Sequence, residues 1–152
     1  MAERVDPHRQ RAQELLAGQR YAVLSTVRPD GQPYASLVAV LISNDLRQAL
    51  FATLRTTRKF ENCRAEPRVA LLLDDRANAT ADLAEAAAAT VLGRADELTG
   101  ATRDGQAEDF LARHPSLTAF VRSPGCALMR VAVERILLVT RFQNVIELRV
   151  AE

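Results

Sequence analysis

Two cysteines, Cys63 and Cys126, are all that the 152 residues contain, and they stand far apart with no CxxC partner. Together with two histidines at unrelated spacings they supply neither a disulfide framework nor a zinc site, and both read as buried free thiols. Charge of one sign is missing as well: 20 Lys and Arg face 19 Asp and Glu, for a formal net charge of +1. That balance argues against a chain built to coat nucleic acid, which carries a basic excess on one face. No apolar run approaches the roughly 20 residues that cross a bilayer, and the charged stretch 1–20 lacks the apolar centre of a signal peptide. A soluble, cytoplasmic protein with no membrane or nucleic-acid partner is expected. GxSxG, P-loop and Rossmann fingerprints are absent too, which fits chemistry carried by a bound cofactor.

What is present suffices for a core: 48% of residues are apolar, and the length suits one domain over 1–152. Asp6-Pro7 opens a helix with an N-cap and a first-turn proline, and Gly18 closes it, so 7–17 are expected helical with Leu15 and Leu16 packing inward. Strands are expected at 21–27, 33–43, 50–54, 68–74, about 87–97, 127–140 and 144–150. Arg28-Pro29-Asp30-Gly31 forms a tight turn between the first two. The strand at 33–43 is apolar on both faces, as in a barrel stave with something packed outside it. Helices are expected at 57–65, 102–113 and 115–122, and a loop near 75–86, where alanine favours helix and the following Thr-Val-Leu favours strand. Strands joined by tight turns with single helices inserted indicate a mainly β protein, an antiparallel six-stranded split β-barrel decorated by short helices.

Chemistry concentrates in Phe51-Ala52-Thr53-Leu54-Arg55-Thr56-Thr57-Arg58-Lys59. A strand runs into a helix there, and three cations and three threonines crowd the junction. A helix N-terminus already carries partial positive charge and unpaired N–H groups, so Arg55, Arg58 and Lys59 are unfavourable neighbours unless an anion lies among them. A phosphate would reverse the balance through N–H, hydroxyl and charge-assisted bonds. Charge alone leaves this open, because solvated cations at a helix start cost only a few tenths to about 1 kcal/mol.

The same segment continues through Phe60-Glu-Asn-Cys-Arg-Ala-Glu-Pro67-Arg68-Val69, and the hairpin Arg28–Tyr34 precedes it at a matching distance. This ordered set resembles the pyridoxamine 5′-phosphate oxidase-like superfamily of FMN-binding split barrels over residues 12 to about 98. Ala112–Leu117 and 127–139 are similar to its heme-utilisation branch. The resemblance implies a flavin cofactor, FMN, whose phosphate pairs with Arg58 and Lys59, with Thr57 and Thr53 donating hydroxyl bonds and Ala52 beside them. It implies that Ser36, Leu37 and Val38 offer backbone groups to the ring edge. It also implies that Phe142 and Gln143 belong to a late loop that can approach the flavin. It further implies a homodimer with the flavin at the interface, and a flavin-dependent oxidoreductase acting on a small-molecule substrate. A non-catalytic FMN- or heme-binding module and a deazaflavin-dependent reductase are the alternatives. Where true pyridoxamine phosphate oxidases carry a basic residue, Lys and Gln, this chain has Ser36, Leu41 and Ala88, and the extension that holds the vitamin's phosphate is not found, so vitamin oxidase activity is not expected. No catalytic group stands out.

His114 beside Pro115 reads as a surface or capping residue rather than a general base or an axial heme ligand. Asp74-Asp75 reads as a turn, since adjacent carboxylates at a strand end point to opposite faces. Tyr21 and Tyr34 are expected to pack at barrel or dimer surfaces.

Overall fold

A computed structural model describes residues 4–150. Helix α1, Pro7–Gly18, starts where Asp6 accepts the N–H of His8 at 3.0 Å. It buries Ala12, Leu15 and Leu16 against the barrel. Strands β1, Tyr21–Val27, and β2, Pro33–Ala39, form the expected hairpin. The strand anticipated at 33–43 is interrupted at Val40: β2 pairs with β1, and Leu41–Ile42, β3, pairs with β4, Gln48–Leu54. Helix α2, Arg58–Ala65, is followed by β5, Arg68–Asp74, and a loop containing the one-turn helix α3, Asp82–Glu85. Strand β6, Ala88–Glu97, leads to α4, Gly100–Arg113, then to a 3-10 turn, Pro115–Leu117, and to α5, Thr118–Val121. The long β7, Cys126–Thr140, and β8, Asn144–Arg149, complete the chain.

All pairings are antiparallel, in the order β2-β1-β5-β6-β7-β4-β3, with β8 also on β7. Because one chain segment leaves β1 as β2 and joins β4 as β3, the sheet curls back on itself. The described residues form eight strands where seven were expected, because the stave at 33–43 divides into β2 and β3; β8 shares an edge of β7 with β4, which takes 126–132 while β8 takes 135–140. The curvature is locked by a bulge where the register jumps from Leu92↔Arg135 to Gly93↔Val133. Gly93 permits it, since a Cβ there would overlap the backbone carbonyl of Ala132.

Alternation along the strands sorts two cores. Leu24, Phe51, Leu71, Val91, Met129, Val131 and Ile136 fill the barrel, joined by Phe60 and Cys63 of α2. The other face of β4 and β7 presents Leu50 and Leu128 to Phe110 of α4 and Val121 of α5. Each such side chain contributes about 1.5–3 kcal/mol by leaving water. Asp74 and Asp75 do turn the chain: Asp74 accepts from Arg76, and Asp75 accepts the Ala87 N–H at 2.7 Å. Among the described residues, no helix is long and apolar enough to cross a membrane.

Candidate functional site

The barrel is split between β2 and β4. In an antiparallel pair, alternate residues exchange hydrogen bonds with the residue opposite, and those between turn their N–H and C=O to the other edge. Val40 N–H donates to Arg20 O at 3.0 Å and Arg28 N–H to Gln32 O at 2.9 Å, so the even-numbered residues of β2 bond to β1. The backbone groups of Leu37 and Ala39 therefore face β4. Arg55 N–H donates to Gly125 O at 2.9 Å, which commits the odd residues of β4 to β7 and turns Ala52 and Leu54 toward β2. Beyond Leu41 and Leu50 the strands part. A cleft of about 400 Å³ opens between these two unpaired edges, a size typical of small-molecule sites.

At the narrow end, where β3 meets β4, stand Tyr21 and His114; at the wide end stand Thr57 and Lys59 from the start of α2, and Leu117 and Phe120 form the outer wall. Leu37, Val38, Ala52, Thr53, Thr57 and Lys59 of the sequence-based set line this one cleft. Ser36 and Arg58 do not: the Ser36 side chain turns into the barrel, where Oγ is buried without a partner among the described residues. Of the Ser36–Val38 segment only Leu37 directs its backbone into the gap, and Ala39, which sequence reasoning did not single out, does the same. Strict alternation from the hairpin turn was the signal that could have found it. Phe142 and Gln143 line a second cleft with Leu72, Leu83, Ala88 and Val139, away from Lys59 within the same chain.

Thr57 is the N-cap of α2, accepting the Phe60 N–H at 3.3 Å. Among the described residues, the N–H groups of Arg58 and Lys59 find no acceptor, and neither side chain lies within ion-pair distance of a carboxylate. The anticipated third cation is otherwise engaged: Arg55 pairs with Glu97 at 2.8 Å and donates to Pro124 O at 2.9 Å, and this pairing raises its pKa further. The threonine hydroxyls are in mutual contact, Thr53 Oγ1 to Thr57 Oγ1 at 2.6 Å, and Thr57 donates to Leu54 O at 2.9 Å. An anion here meets the two N–H groups and Lys59 first, and a hydroxyl only after exchange of an internal bond.

His114 is buried, not at the surface; it caps the end of α4, and its Nε2 contacts Val40 O at 2.9 Å. The cleft thus offers backbone donors and acceptors along both edges and reaches the start of α2 at Thr57 and Lys59. A planar ring with a polar rim and a phosphate tail fits that donor set.

A family model described as pyridoxamine 5′-phosphate oxidase matches residues 9–140. No curated protein matches the chain. Among solved structures, the chain is similar to a heme binding protein from Mycobacterium smegmatis, with a TM-score of 0.85 at 16% identity, covering 95% of this chain and 59% of that one. It is also similar to Campylobacter jejuni ChuZ, at 0.82 and 12%, covering 97% and 61%. A FAD-binding protein from Mesorhizobium loti gives 0.70 and 21%, covering 85% and 90%. The chain spans about three fifths of the first two, and identities this low show a shared fold. The family match, which runs from within α1 to the end of β7, carries more: the chain belongs to the pyridoxamine 5′-phosphate oxidase family.

Proposed function

We propose that the cleft between β2 and β4 binds FMN and that the protein is a cytoplasmic flavin-dependent oxidoreductase for a small molecule. The observation that carries this reading is the convergence of two unpaired strand edges on the start of α2, with Lys59 on the cleft wall. Leu37, Ala39, Ala52 and Leu54 would hydrogen-bond the ring edge, while Arg58, Lys59 and their N–H groups would hold the phosphate. FMN supplies the electron transfer; the chain's own residues bind and orient it and exclude water. Among the described ionisable groups lining the cleft, His114 is committed to Val40, and no acid or base is assigned.

The outer face of the sheet supports a homodimer. Register places Leu37, Val23, Leu72, Thr90 and Leu137 side by side across five strands. Leu37 is 71% exposed and Leu72 38%. This apolar band joins the flavin cleft at one end to the second cleft at the other. A two-fold axis crossing the band near its middle sets each end against the opposite end of the partner copy. Phe142 and Gln143 would then close the flavin site from the second subunit. Arg141, Phe142 and Gln143, all with positive φ (46°, 39° and 68°), form the tight turn that joins β7 to β8.

Two relatives whose names carry heme or FAD binding support a second reading, a non-catalytic FMN- or heme-binding module. A deazaflavin in the same slot is the third. The absorption spectrum of the loaded protein separates flavin, deazaflavin and heme, and turnover with NAD(P)H and an acceptor separates the oxidoreductase from the non-catalytic module. The decisive experiment titrates the protein with FMN and with riboflavin, which has no phosphate. Replacing Arg58 and Lys59 together by Ala should weaken FMN by at least about 100-fold, at about 1.5–3 kcal/mol per charge-assisted bond, and leave riboflavin nearly unchanged. Equal losses for both ligands would remove the phosphate from this position.

A further inference from the structure

Val40 is the point at which one strand changes partner, and it is held from two sides. Its N–H donates to Arg20 O at 3.0 Å, while its carbonyl meets His114 Nε2 at 2.9 Å, 74 residues along the chain. The His114 ring lies 4.9 Å from that of Phe110, tilted by 44°, and the residue is only 6% exposed. Two arginines tie the same knot: Arg20 Nη1 donates to Arg113 O at 3.2 Å, and Arg113 Nη2 to Ala17 O at 3.0 Å. The ends of α1 and α4 and the start of β1 are thereby fixed around Val40.

We infer that His114 is a positioning residue of the flavin cleft, a role that rests on reading the cleft as the FMN site. The apex of the cleft lies where β2 stops pairing with β1 and β3 starts pairing with β4. Val40 is 1% exposed, so its carbonyl needs a partner inside the protein. If His114 does not donate, the nearest remedy is for the carbonyl to turn back to β1, extending β2 and shifting the apex. Leu37 and Ala39 would then move relative to Ala52 and Leu54. A planar ligand bonded to both edges is sensitive to that spacing, because each hydrogen bond weakens steeply with misalignment. The imidazole acts through the backbone and does not touch reacting atoms.

Three variants test this. His114→Leu removes the donor, and His114→Gln retains one. Arg103→Ala loosens α4 elsewhere, where Arg103 Nη2 donates to Val121 O and Cys126 O, at 3.0 and 3.3 Å. FMN affinity is measured well below each variant's unfolding temperature, and amide exchange at Leu41 and Leu50 is measured without ligand. His114→Leu should raise the FMN Kd at least about tenfold and speed exchange at both amides, His114→Gln should stay within about threefold of wild type, and Arg103→Ala should leave both readouts unchanged. Should His114→Leu not fold, His114→Asn, whose amide falls short of Val40, takes its place. The inference is overturned if the donorless variant binds FMN normally, if Gln fails to rescue, or if Arg103→Ala produces the same loss. If the wild-type protein binds no FMN, the cofactor reading falls, and amide exchange alone decides whether His114 sets the apex.

Discussion

Arg55 and Glu97 form a two-pronged ion pair, with Nη2 2.8 Å and Nε 3.2 Å from Oε2, and Arg55 Nη1 also reaches Pro124 O at 2.9 Å. One guanidinium thus ties the strand-to-helix junction to the end of β6 and to the turn before β7. Both side chains are partly exposed, so Arg55→Met should cost no more than about 1 kcal/mol in urea unfolding. Its FMN affinity should match wild type, unlike that of Lys59→Met. A large and phosphate-dependent loss in Arg55→Met would show that the arginine leaves Glu97 to meet the ligand.

Gly93 lies at the bulge, facing the Ala132 carbonyl. Backbone cannot yield as a flexible side chain does, so Gly93→Ala should destabilise by about 3 kcal/mol or more, among the larger effects of a single methyl. Thermal unfolding measures it. A variant as stable as wild type would mean that the bulge can slide.

Leu72 stands near the centre of the outer apolar band. Leu72→Lys should leave the monomer folded and shift sedimentation from dimer to monomer at micromolar concentration, since a buried unpaired charge is costly. Wild-type protein that sediments as a monomer would count directly against the shared flavin site.

Gln143 adopts φ 68°, a conformation that costs an L-residue about 1–2 kcal/mol. Gln143→Gly should therefore stabilise the chain slightly, by up to about 1 kcal/mol, because glycine's extra freedom when unfolded offsets part of the relief. Phe142→Ala, exposed in one chain, should leave stability within about 0.5 kcal/mol and weaken FMN binding if the loop reaches the partner's cleft.

Burial pushes the Cys63 thiol up to about 11 from 9.0, and moves Cys126 in the same direction. The folded state holds these protons more tightly than the unfolded chain does. Stability from this source is full below pH 9 and is lost as pH rises from 9 toward about 11. The urea midpoint should fall over that window, less steeply in Cys63→Ala, and iodoacetamide should leave both thiols of the native protein unmodified at pH 7.5. Rapid labelling at that pH would contradict the burial.

Much of this was legible in the chain itself. The Asp6-Pro7 helix start, the Arg28–Gly31 turn, the helix from 57 and the strands at 21–27, 68–74 and about 87–97 rest on signals within a few residues, so local chemistry specifies them. The cluster of Thr53, Thr57 and Lys59 was visible for the same reason: a strand running into a capped helix brings its own neighbours together. The break at Val40 was not, because apolar residues on both faces look alike whether a strand keeps one partner or changes it.

Local patterns thus determined the elements, their order and the helix start proposed to receive phosphate. Tertiary structure alone decided which edges stay unpaired, that Arg55 belongs to Glu97, that His114 is buried on Val40, and that Phe142 and Gln143 stand in another cleft of the same chain. Each of these depends on partners 42 or 74 residues apart or on closure of the whole sheet. No short window of sequence holds both halves of such a contact, and only the folded register brings them to one place.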